Sequence, residues 1–432
     1  MPRLSNRRAL LPFLVPVLFL LLMASSAGQA GVRRRDPIAR AVANAGSTRP
    51  GLPPVSMGDW SQMGQLVQAK GQYFGEFGFS VAIDRDTIVV SNILYSEAFV
   101  FLRPSQGWRN MLPTATLSLP SGSGPVAISG DTIVVGSSVF NTGSGAAYVF
   151  VKPAGGWTNM TPTATLTASD AMDTRFGTSA AIHGNTVVIG DSIQNSFTGA
   201  AYVFVKPSTG WADMTQTAKL TASDGQPNDS FGGVVSLNNN LIAVGAPQNA
   251  LETGKAYVFV KPHGGWVDTT QTAELTASGA KAAYAVGSSI SVGNDAVVVG
   301  APCSTDAVLL GKAYVFVKPP GGWANETQAA TLSAIDARGT PLFGIAVLMS
   351  GETVLVGAGF RGAGPNSEEG GVYVFEEPST GWKDAAGNIV LTASGARQFT
   401  WLGNSLGLSG NVMVVGAPVL NLQGAAYVFE RP

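Results

Sequence analysis

The chain reads as an all-β protein, a seven-bladed β-propeller of four-stranded blades. Three observations point there. A strand tag, AYVF or a close variant, recurs with its aromatic at Phe99, Tyr148, Tyr202, Tyr257, Tyr314, Tyr373 and Tyr427, at steps of 49 to 59 residues. Between the tags, short apolar runs alternate with turns rich in Gly, Asn, Asp and Pro, the signature of strands joined by tight connections. The last tag is followed by no fourth strand, and a matching strand stands ahead of the first. A period of this size filled with short strands is the sequence form of a propeller blade.

In chain order, the first segment reads as an export signal over residues 1–30. Arg3, Arg7 and Arg8 precede an apolar run from Ala9 to Met23, then small residues with cleavage expected after Ala27 or Ala30. The run is about 15 residues, short of the ~20 a spanning helix needs, so no membrane span is expected after cleavage. Residues 31–55 begin Arg33-Arg34-Arg35, end in Pro50-Gly51-Leu52-Pro53-Pro54 and read as a flexible linker. The propeller is expected over 56–432. Loss of the three signal arginines lowers the formal charge from −1 to −4, which gives no footing for nucleic acid. Cys303 is the single cysteine, so an exported domain of this size must rest on burial and ring closure rather than disulfides.

The third unit shows how a blade is written. Phe176 to Ile182 is a small-residue run suited to the crowded axis. Gly184-Asn185 turns the chain into Thr186-Val187-Val188-Ile189-Gly190. A polar loop leads to Ala200 through Val205, which Lys206-Pro207 stops. Thr217 to Ser223 makes an outer strand whose Thr and Lys suit an exposed edge. The first two strands are joined by two residues in every copy, from Arg85-Asp86 to Gly410-Asn411. Such turns need positive φ at one or both positions, which Arg85 and Glu352 suit less well than Gly or Asn.

Ring closure follows from the ends. Gly58-Asp59-Trp60-Ser61-Gln62-Met63 and the segment Gln65 to Lys70 match the turn and outer strand around Trp157 and Leu166. The N-terminus is therefore expected to supply the outer strand of the last blade. With Trp60, a turn tryptophan recurs seven times, the others being Trp108, Trp157, Trp211, Trp266, Trp323 and Trp382. These indoles suit packing between blades; exposed, they would suit stacking on sugars.

Phe-Gly at the start of a unit (Phe77-Gly78, Phe176-Gly177, Phe231-Gly232, Phe343-Gly344) and Gly-Ala-Pro after the second strand (Gly245-Ala246-Pro247, Gly300-Ala301-Pro302, Gly416-Ala417-Pro418) resemble the FG-GAP repeat. That resemblance implies the seven-bladed head of integrin α subunits and bacterial surface proteins, over about 58–432. Integrin-type repeats often hold calcium between the first two strands. Here Asp84-Arg85-Asp86 is too short to supply ~6–8 oxygen ligands, so no metal is expected there, and no cofactor.

Catalytic signals are thin. Gly403-Asn404-Ser405-Leu406-Gly407 fits GxSxG but falls on an inner strand, where Ser80, Ser179 and Ser289 also stand, not on a strand-to-helix elbow. His183 and His263 sit in turns without metal-ligand company. No enzyme is expected, although a channel-mouth active site and a purely structural envelope role are the rivals. The sequons at Asn159, Asn228 and Asn325 matter only in a eukaryotic secretory pathway.

Variation concentrates in the fourth-to-first and second-to-third connections, which share one face. Binding residues generally sit on such loops. Asp170, Asp173, Arg175, Asp191, Asp224, Asp229, Asp306, Asp336, Arg361 and Glu368 are the candidates, giving that face acidic character. The expectation is a monomeric, secreted or cell-surface module for binding or adhesion, taking a protein or glycan ligand there; the alternative is a multivalent lectin with a site on every blade.

Overall fold

The computed structural model describes residues 60–68, 76–138, 145–170, 175–249, 253–281, 284–302, 311–334, 342–359, 370–387, 390–394, 400–419 and 423–432. Among them the strands form seven sheets, one per repeat. In blade 3 the inner strand Ser179–His183 pairs with Thr186–Asp191, that with Ala200–Val205, and that with the outer strand Ala218–Thr221, all antiparallel. The seven inner strands follow one another around the axis, and Ser405–Ser409 of blade 7 packs on Phe77–Asp84 of blade 1. The expected signal, linker and Cys303 fall outside the described residues.

The tag AYVF is explained by the strand period of two. Tyr202 and Phe204 point into the core shared with blade 2, while Ala201 and Val203 point into the core shared with blade 4. Each blade thus presents rings to one neighbour and small side chains to the other. The apolar clusters lie between successive blades all the way round, including blade 7 against blade 1. At ~1.5–3 kcal/mol for each fully buried large side chain, it is contact between blades that holds the ring.

The FG and GAP residues have equally local causes. In six blades the residue before Phe, or before Val286 or Leu402 in its place, accepts a hydrogen bond from the third residue on, as Arg175 O does from Thr178 N–H at 3.1 Å. Phe-Gly then occupies the centre of a type II turn, which needs positive φ at its second central position; Gly177 has φ +96° and Gly232 +86°. The Phe is fully buried and meets the tag edge-on, Phe176 at 5.5 Å from Tyr202 and 6.0 Å from Phe204. Gly190, the first residue of the GAP position, accepts from Gly177 N–H at 3.0 Å in its own blade. Its Cα face abuts the Gly232 carbonyl of the next blade, where a Cβ would collide.

Ring closure is as expected. Ser61–Leu66 pairs antiparallel with Ala425–Glu430, from Ser61↔Glu430 to Leu66↔Ala426, with a bulge between Gln62 and Gly64. Arg431 lies 5.2 Å over the Trp60 ring, and Arg103 of blade 1 meets Glu430 at 2.7 Å.

Three expectations change. The outer edge is not left bare: in four blades a short segment of the next blade's tryptophan turn pairs with it in parallel, as Met214–Thr215 does with Leu166–Thr167. Single bridges repeat this at Leu66↔Met111 and Leu117↔Met160. A side-chain oxygen two residues after each of six tryptophans reinforces it by accepting an N–H of the preceding outer strand, at 2.7–2.9 Å (Asn110, Asn159, Asp213, Asp268, Asn325, Asp384). Second, only the first position of the hairpin turns takes positive φ, as at Arg85 (+52°), Asn239 (+53°) and Gly351 (+59°). Glu352, in the second position, is unstrained, and the turns are of the II′ kind. Third, the blade 5 turn Asn294-Asp295, closed by Gly293 N–H donating to Ala296 O at 2.8 Å, has no positive φ.

Candidate functional site

Because strands alternate in direction, the fourth-to-first and second-to-third connections do share a face, and hydrogen bonds join them. In blade 3, Asn228 N–H donates to Ser196 O at 3.1 Å and Ser230 N–H to Phe197 O at 2.7 Å. Several of the variable loops on this face lie outside the described residues, and with them Asp173, Asp306, Asp336, Arg361 and Glu368.

The described acidic candidates all have partners within the chain. Asp170 accepts from Tyr202 Oη at 2.9 Å and from Gln194 Nε2 at 3.1 Å, and is ion-paired with Lys219. One blade on, Asp224 accepts from Tyr257 Oη at 2.8 Å and from Lys255 Nζ at 2.7 Å, and Lys255 also reaches Glu274 at 3.2 Å. Burial works to raise both carboxyls, but the lysines and tyrosines outweigh it and hold Asp170 and Asp224 below the usual carboxylate range. Burial, then the facing carboxylates, pushes the Tyr202 and Tyr257 phenols up. These acids support the tag tyrosines from the loop side.

Asp191 and Asp229 are buried outright. Asp191 replaces the alanine of GAP and accepts from Arg175 N–H at 3.1 Å and Ile193 N–H at 3.3 Å. Asp229 accepts from Gln226 N–H at 2.8 Å and Asn249 Nδ2 at 2.7 Å. Arg175 is partly buried beside Asp191. The carboxylates of Asp191 and Asp229 order the loops of this face, while Asp170 and Asp224 stay part exposed on it.

What the face does present was not singled out in the sequence. Asn195, Ser196 and Phe197 are three consecutive residues with φ +52°, +57° and +65°, a left-handed turn costing ~1–2 kcal/mol per residue. Phe197 is 41% exposed. Asn228 (φ +75°) and Ser230 (φ +56°) lie against this turn. Of the eleven non-glycine residues with positive φ among the described residues, these five sit together. Strain of this kind clusters where a surface is held for a ligand. A second set surrounds the axis on the same face: Glu76, Ser230, Ala285, Leu342 and Trp401, each before the inner-strand Phe or its equivalent, have φ +48° to +56°. Burial pushes the Glu76 carboxyl up to about 7. An apolar Phe in the polar loop Gln194-Asn195-Ser196-Phe197-Thr198 was the available signal.

Other candidates resolve structurally. Ser405 Oγ donates to Gly78 O at 3.0 Å, as Ser179 does to Gly232 O and Ser289 to Gly344 O; the GxSxG serine ties blade 7 to blade 1. His183 and His263 are exposed. Six turn tryptophans are 3–8% exposed, packed between blades, and only Trp323 is partly open. Asn159 and Asn325 lend their side-chain oxygens to the rim clamp, which Asp fills equally well elsewhere. Among the described residues no helix is long and apolar enough to cross a membrane, and no group of three or more His, Cys, Asp or Glu is placed to hold a metal.

Fold and face together define a closed repeat propeller of a class that generally binds rather than catalyses. The FG-GAP repeat matches residues 60–100, 160–204, 214–259, 269–316, 327–375 and 388–429, more than half of the chain, which belongs to that family. Each match runs from one blade's outer edge through the next blade's third strand. The unmatched unit is blade 2, where Ser123-Gly124-Pro125 replaces the Phe-Gly turn. No curated protein matches the chain.

Proposed function

We propose that this chain is an exported, secreted or cell-surface module for non-catalytic binding or adhesion, engaging a protein partner through the loop face of blades 3 and 4. The observation carrying it is the left-handed turn Asn195–Phe197, which holds an apolar ring 41% exposed on a strained backbone. The signal-like residues 1–30 and the linker-like residues 31–55 support export, with the propeller from 56 onward as a monomeric unit. Adhesion fits the surface-protein company of the integrin-like resemblance. Intact chain displayed against its own cell surface should bind, and Phe197→Ser should reduce that binding about tenfold or more if the ring is an anchor. Undiminished binding by a folded Phe197→Ser chain would remove the reading.

A further inference from the structure

We infer that this propeller carries one subsite for a neutral glycan on the face opposite the variable loops, between blades 4 and 5, with Trp323 as its platform. Trp323 is the exception among the seven turn tryptophans: it lies at the edge of the blade 4–5 core and stays partly open. It borders a hollow of about 450 Å³, within the ~300–1,000 Å³ of small-ligand sites. Val260, 40% exposed, extends the apolar wall.

The polar lining is almost wholly amide. Asn238, Asn239 and Asn240 form the blade 4 turn, and Asn294 enters from blade 5. No other blade has three consecutive amides there; the equivalents read Asp84-Arg85-Asp86, Ser129-Gly130-Asp131, His183-Gly184-Asn185, Gly293-Asn294-Asp295, Ser350-Gly351-Glu352 and Ser409-Gly410-Asn411. The amides are mutually oriented: Asn239 Nδ2 donates to Asn238 Oδ1 at 3.1 Å, and Asn238 Nδ2 to Asn294 Oδ1 at 3.2 Å. The Asn240 amide is left without a partner among the described residues. The charged lining residue, Lys318, is paired with Asp295 at 3.3 Å.

These features select a ligand chemistry. An indole face takes the C–H face of a sugar ring, and each amide both donates to and accepts from hydroxyls. With its lysine paired, the hollow offers an anion no free counter-charge. A neutral hexose or pentose unit, at the end of or within a chain, meets every group.

The test is calorimetric titration of the full chain with cello-, manno- and xylo-oligosaccharides. At least one should bind with a single site. Asn240→Ala, an exposed change that leaves the packing intact, and Trp323→Ala should each weaken it about tenfold, while Phe197→Ser should leave it unchanged. Val260→Glu, which puts a charge into the hollow, should do the same as Asn240→Ala if Trp323→Ala fails to fold. Absence of binding to all three series, or binding that Asn240→Ala and Val260→Glu leave at the original strength, overturns the inference.

Discussion

At Gly190 a Cβ would run into the Gly232 carbonyl of the next blade, and Gly232 holds φ +86° with its own Cα face against Ala200 O. A methyl added at Gly190 meets that fixed backbone carbonyl and, beside it, the Ser179 hydroxyl. Gly190→Ala should therefore cost ~3 kcal/mol or more in urea unfolding, whereas Gly155→Ala, where a Cβ meets nothing within 4 Å, should stay within about 0.5 kcal/mol. Glu76 gives a pH signature. Its folded carboxyl titrates near 7 because of burial, above the ~4.3 of an unfolded glutamate. Its stability is thus complete below ~4.3 and lost as pH rises through about 7. Glu76→Gln should match the parent Tm at pH 4 and exceed it at pH 8; equal values at pH 8 would refute the burial of that charge. Neither residue could be read from the sequence with this role, since both depend on what the neighbouring blade places against them.

At the scale of elements, the third strand was legible and its support was not. AYVF repeats because one strand face must carry rings and the other small residues, a pattern plain in the sequence. That Asp170 and Asp224 would hold the tag tyrosines was hidden, because a loop acid facing inward and one facing solvent are written alike. Asp224→Asn should lower stability by ~1 kcal/mol at pH 7, discounted for its part exposure. With the folded carboxyl held low, that contribution is present above ~4 and lost as pH falls through the folded value. The mutant and parent melting curves should therefore converge as pH falls below the ordinary carboxylate range; a constant gap would mean that the charge is not what matters. The rim clamps explain why Asn and Asp interchange two residues after the tryptophan, and so why two sequons fall at structural positions.

The whole molecule rests on closure. Its seven-bladed form was readable from the count of tags and tryptophans and from the displaced outer strand, because a repeat advertises its own period. The proposed anchor Phe197 was not, because it lies in a loop that differs between copies, and difference alone does not give direction. Removing residues 1–68 should strip the outer strand from blade 7 and expose the edge of Ala425–Glu430. That chain should aggregate or melt at least 10 °C lower, roughly the effect of losing a few kcal/mol; an unchanged Tm would mean that the ring is held without its N-terminal strand. The central functional claim is most directly tested by placing a photo-crosslinking benzophenone side chain at Phe197 and, separately, at Val267, which is 54% exposed beside a turn tryptophan on the opposite face. Against the protein's own cell surface, the account predicts a discrete protein adduct from position 197 and none from 267. Adducts from 267 alone, or from both positions equally, would contradict it.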